Sequence, residues 1–110
     1  MLTVRDLDNI LICSLEGRLD TNTSAEVSEE LLDHVAGSDR RVVINLQGLT
    51  YISSMGLRVL VMAAKAVNGA GGGLKLCCAT PPVRKVLEIS ALDTLLGYHA
   101  ELEEALAMLR

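Results

Sequence analysis

The chain has 110 residues, half of them apolar, and a net charge of −4. That length predicts one domain spanning 1–110, and the apolar content argues against disorder. The ten basic residues form no stripe, and Tyr51 and Tyr98 are its two aromatic residues, so no stacking platform for nucleic acid is expected.

The longest apolar run, Val59 to Ala64, is too short to insert in a membrane. Met1 to Asp6 lacks the charged and apolar regions of a signal peptide, so the expected compartment is the cytoplasm. Cys13, Cys77 and Cys78 show no metal-ligand spacing and read as small buried hydrophobes in a reducing compartment. The adjacent pair is expected to point to opposite faces of a strand.

Thr3 to Asp6 reads as a short edge strand and Ile10 to Glu16 as a second, with Asp8-Asn9 as the hairpin turn. Gly17-Arg18-Leu19-Asp20 ends the second strand. Thr23 and Glu26 predict a capping box for a first helix. Its inner side carries Val27, Leu31, Leu32 and Val35, and its outer side Glu26, Glu29, Glu30 and Asp33; Gly37 is the expected stop.

Arg41 to Leu46 has the character of a buried strand, and a helix from about Met55 to Asn68 follows the segment Leu49 to Ser54. The glycine-rich run Asn68 to Gly73 follows a helix and lacks the Gly-Lys-Ser/Thr ending of a phosphate loop, so it is a connector. Leu74 to Ala79 is the fourth strand. Thr80 caps a third helix with Pro81 in its first turn and Val83, Val86 and Leu87 inward. Leu95 to His99 is a candidate fifth strand. The helix Ala100 to Leu109 places Leu102, Ala105, Leu106 and Leu109 on one side. Strands alternating with helices predict an α/β fold, with a mixed, mostly parallel sheet of four to five strands and about four helices.

Enzyme chemistry finds little support. His34 and His99 have no metal or nucleophile–base spacing, and Ser53-Ser54-Met55-Gly56 does not fit a nucleophile elbow. No catalytic residue, cofactor site or metal site is predicted. Two features of the central segment point to regulation instead. Ser53 and Ser54 fall at a helix start, where free N–H groups and the dipole tolerate a phosphate. The helix also reads as apolar on two sides. Leu57, Leu60, Val61, Ala64 and Val67 are expected to face the sheet. Met55, Val59, Met62 and Ala66 form a second stripe, flanked by Arg58 and Lys65. That stripe is covered by another element of the domain, or docks a protein partner, or is divided between the two.

The starting hairpin, Gly17-Arg18-Leu19-Asp20, Val42-Val43-Ile44-Asn45-Leu46, Tyr51-Ile52-Ser53-Ser54-Met55-Gly56-Leu57 and Pro82-Val83-Arg84-Lys85-Val86-Leu87 together resemble the bacterial anti-sigma factor antagonists, which are single STAS domains. The resemblance covers nearly the whole chain. It implies a protein that binds an anti-sigma factor, often itself a serine kinase, and so frees the sigma factor for transcription. Phosphorylation ends the contact and a phosphatase restores it. The family motif Asp-Ser-x-Gly falls on Ser53-Ser54-Met55-Gly56. The implied acceptor is Ser54, with Ser53 a second candidate because it stands where the family has aspartate. Asp20 matches a family aspartate near the acceptor. The partner surface then comprises Asp20, Ser53, Ser54, Met55 and Gly56 with Arg58, Val59 and Met62. The same stripe leaves a homodimer open. The alternative is a phosphorylation-independent STAS subunit of a membrane transport complex.

Overall fold

The computed structural model describes residues 1–35 and 40–110, and the predicted stop at Gly37 lies outside them. The described elements are β1 (Leu2–Leu7), β2 (Ile10–Leu19), α1 (Ser24–Val35), β3 (Arg41–Ile52), α2 (Ser54–Gly69), β4 (Gly73–Cys77), α3 (Pro81–Ile89), α4 (Leu92–Leu96), β5 (Tyr98–His99) and α5 (Leu102–Leu109). The strands form one mixed sheet in the order β1-β2-β3-β4-β5, antiparallel between β1 and β2 and parallel elsewhere. The predicted mostly parallel sheet is thus present, with five strands and five helices among the described residues.

Each strand pattern sends alternate side chains to opposite faces. Leu11, Cys13, Val42, Ile44, Leu74 and Leu76 face one side and are buried under α1, α2, α3 and α4. Ile10, Ile12, Val43 and Cys77 face the other, under Ala105, Leu106 and Leu109 of α5. The β1–β2 turn is Asp8-Asn9, as predicted. Both residues have positive φ, 53° and 66°, the geometry a two-residue hairpin needs and one that Asp and Asn tolerate.

Several boundaries differ from the sequence expectation. β2 runs on through Gly17 to Leu19. β3 extends to Ile52 rather than ending at Leu46. It carries extra residues relative to β2 at two register shifts, and at the first of these Ser14 pairs with Asn45 but Glu16 with Gly48. The strand survives because position 48 is glycine: a Cβ there would lie 2.8 Å from Glu16 Cγ and 3.2 Å from the Leu15 carbonyl oxygen. The Gln47 N–H also donates to Asn45 Oδ1 (3.0 Å).

Leu95 belongs to α4, so β5 has only Tyr98 and His99. Gly97, at φ 81°, turns the chain back, and its carbonyl accepts from the Leu76 N–H (2.9 Å). β4 ends at Cys77, because Cys78 adopts a left-handed φ of 63°. The two cysteines therefore do not alternate across the sheet; Cys78, half-buried, packs against the same cluster that contains Cys77. Thr80 is the N-cap residue of α3, as predicted, but makes no side-chain cap hydrogen bond, its hydroxyl donating instead to the Leu49 carbonyl (2.8 Å).

Candidate functional site

Where β2 and β3 end, their last bridged pair is Leu19 and Ile52. The next residues, Asp20 and Ser53, therefore begin adjacent connections at the carboxyl end of the parallel strands. Ser53 is fixed twice through its backbone. Its N–H donates to the Leu19 carbonyl and its carbonyl accepts from Leu57, both at 2.9 Å. Ser53 alone joins β3 to α2.

Ser53 is the N-cap of α2, with extended backbone (φ −94°, ψ 175°), and its Oγ accepts from the Gly56 N–H at 3.1 Å. Ser54 is the first helical residue and is exposed, whereas Ser53 is half-buried. Two chemically equal hydroxyls are thus separated by position. Gly56 is buried beneath them. A Cβ there would lie 2.7 Å from the Leu19 carbonyl oxygen and 2.8 Å from Ile52 Cγ1, so glycine lets the first turn of α2 settle on the strand ends.

Asp20 serves its own connection. Its carboxylate accepts from the N–H groups of Asn22 (2.9 Å) and Thr23 (3.2 Å) and from the Thr23 hydroxyl (3.2 Å). Arg18 Nε lies 3.7 Å away and its guanidinium stacks on Tyr51, 4.2 Å from the ring centroid. Desolvation works to raise the Asp20 pKa, but these hydrogen bonds and the Arg18 charge together hold it below the usual carboxylate value. Thr23 precedes α1 as predicted, and its carbonyl accepts from Val27 (3.1 Å). In place of the predicted capping box with Glu26, its hydroxyl donates to the Arg18 carbonyl (2.8 Å) and accepts from the Asp20 N–H (3.0 Å).

The apolar stripe of α2 divides. Met55 and Met62 are 46% and 41% exposed, but Val59, predicted on the same stripe, is only 5% exposed. α1 packs along this side of α2 and covers the valine. Conversely Leu57 and Val61, predicted to face the sheet, are half-buried, while Ala63 joins Leu60, Ala64 and Val67 in the core. The buried arc is wide because α2 meets α1 as well as β3 and β4.

Between the two helices lies a shallow hollow of about 160 Å³ lined by Met55, Arg58, Val59 and Met62 from α2 and by Thr21, Ser24, Ala25 and Ser28 opposite. The latter four escaped the sequence reading. Their signal is small size: Ser24, Ala25 and Ser28 lie on adjoining turns of α1 and let the helices approach. The Ser24 hydroxyl also donates to the Asp20 carbonyl, tying the start of α1 to the end of β2. The arrangement offers a mostly apolar hollow, with the exposed Ser54 hydroxyl adjacent in sequence to its Met55. Among the described residues, no group of three or more His, Cys, Asp or Glu side chains could hold a metal ion, and no helix is long and apolar enough to cross a membrane.

Comparison with known proteins agrees with this architecture. The STAS domain family profile matches residues 1–105. A Bordetella bronchiseptica protein, BtrV, assigned by name to the anti-sigma factor antagonists, is 42% identical over 89 residues, covering 81% of this chain and 77% of the relative. An anti-sigma factor antagonist structure from Mycobacterium paratuberculosis superposes with a TM-score of 0.90 at 22% identity, covering 100% and 93% of the two chains. The anti-sigma factor antagonist SpoIIAA, a Bacillus protein, shares the fold in its unphosphorylated form, with a TM-score of 0.80 at 19% identity and coverage of 100% and 96%. Its phosphorylated form superposes at 0.64 and 20% identity, with full coverage of both chains. The chain belongs to the STAS domain family, among relatives that are anti-sigma factor antagonists.

Proposed function

We propose that this protein is an anti-sigma factor antagonist that acts in the cytoplasm by binding rather than catalysis. The exposed start of α2, with the hollow beside it, docks an anti-sigma factor that is also a serine kinase, and the sigma factor is released. The kinase moves the γ-phosphoryl group of ATP to Ser54 Oγ, leaving ADP, and a phosphatase later hydrolyses the ester. One observation carries this reading: Ser54 presents an exposed hydroxyl on the first turn of α2 next to exposed Met55, while Ser53 is occupied as the helix cap.

A phosphate on Ser54 is favoured locally by the helix dipole and free N–H groups. It also adds about two negative charges beside an apolar contact, and burying them without a cationic match is costly. Val59 and Gly56 support this surface from beneath, and Asp20 acts by holding the adjoining connection.

Binding of the anti-sigma factor, measured by calorimetry, is the test. Wild type and Ser54→Ala are expected to bind alike and Ser54→Asp much more weakly, while incubation with ATP and the partner adds one phosphate to wild type and none to Ser54→Ala. Equal binding by wild type and Ser54→Asp would remove the switch. Phosphate on Ser53 instead would transfer the acceptor role.

A further inference from the structure

Arg58 lies one helical turn beyond Ser54, and residues four apart on a helix are neighbours, with about 5–6 Å between their Cβ atoms. Both residues are exposed. Arg18 is committed to Asp20 and the Tyr51 ring, and Arg84 to Glu88, Asp93 and the Tyr98 ring. Arg58, by contrast, makes no ion pair or ring contact among the described residues. The first turn of α2 contains no acidic residue that would compete for it. Its side chain lines the hollow between α1 and α2.

We propose that Arg58 is the internal ligand of the phosphate on Ser54, its guanidinium donating hydrogen bonds to the phosphate oxygens. The order is the favourable one, with the anion toward the helix N-terminus and the cation one turn later. A guanidinium matches phosphate through paired, charge-assisted N–H donors, which a hydroxyl or amide at position 58 would not supply. Phosphorylation then changes the docking surface twice: it places an anion at the edge, and it draws the one cation of the hollow's lining away from the partner and onto the phosphate. This deepens the reading of Ser54 as the acceptor and rests on it.

The test installs phosphoserine at position 54 during translation by an expanded genetic code, so neither the kinase nor the partner enters. The phosphate's second ionisation lies at about pH 6 and is followed by phosphorus NMR at low ionic strength. The helix dipole acts equally on wild type and Arg58→Gln, so their difference isolates the arginine. Wild type is expected to titrate lower by about 0.3 pH unit or more, roughly a two-fold change in the dissociation constant. In wild type alone, the Arg58 Nε–H resonance is expected to shift with the same midpoint as the phosphate, a reading that stands even if the variant folds poorly. Coincident titrations of the two proteins, or an Nε–H signal unmoved as the phosphate ionises, would overturn the proposal. Failure of the kinase to modify Ser54 would overturn the acceptor assignment while leaving this titration intact.

Discussion

Removing the Ser53 hydroxyl deprives the Gly56 N–H of its acceptor, whereas removing that of Ser54 leaves the cap in place. Ser53→Ala is therefore expected to lower stability by about 1 kcal/mol. Ser54→Ala is expected to change it by less than about 0.5 kcal/mol, because the site is exposed and alanine suits a helix. Urea denaturation separates them, and equal losses would contradict the division of labour. Gly56→Ala should cost more, about 1–3 kcal/mol, since its Cβ has backbone and buried side chains within 3 Å and strand ends cannot give way cheaply. Asp20 adds a pH dependence. Its pKa in the folded chain is below the ordinary value of 3.8, so its stabilisation is fully present above that pH and is lost as pH falls through the folded value. Asp20→Asn should melt below wild type at pH 7, with the gap closing in acid; a gap that persists below the folded value would assign the loss to packing instead.

Helix α2 shows what a one-dimensional pattern can and cannot fix. Its length and apolar character are plain from Leu57 to Val67, and the hydroxyl pair marks its start. Which of its faces is core depends on α1, a neighbour far enough away in sequence that periodicity does not place it. Val59 and Met62 therefore read alike in sequence yet differ eight-fold in exposure, 5% against 41%. Val59→Ala is expected to cost about 2 kcal/mol through lost burial and a residual cavity, and Met62→Ala less than about 0.5 kcal/mol. Denaturation midpoints test this, and equal effects would mean that α1 does not close over the valine. The extension of β3 was hidden for a different reason. Gly48 normally weakens a strand, and its use here, admitting the Glu16 side chain across a register shift, exists only once β2 is beside it. The hydroxyl, methionine and arginine of the candidate site were all legible; the α1 residues opposite them were not, because small size alone does not say which helix will approach.

Across the whole molecule the two faces of the sheet bury thiols on opposite sides, Cys13 under α1 and α2 and Cys77 under α5. Burial pushes the Cys13 thiol up from 9.0 to about 11. Burial, and then the hydrogen bond it shares with Cys78, raise Cys77 as well. Both groups hold their protons more tightly folded than unfolded. Their contribution is therefore fully present below the unfolded thiol pKa of 9.0 and is lost as pH rises from there through the folded values. Stability should accordingly fall on the alkaline side beginning near pH 9, and Cys13→Ala should flatten that limb while lowering the plateau at neutral pH. The same burial sets reactivity. At neutral pH a thiol reagent should modify half-buried Cys78 promptly, while Cys13 and Cys77 react only as fast as the molecule opens, because both are fully covered. Intact mass measured over time under native conditions should show one fast adduct followed by two slow ones, the slow pair accelerating together in urea. If Cys77 instead reacted as fast as Cys78, the α5 layer would have to open independently of the rest of the fold.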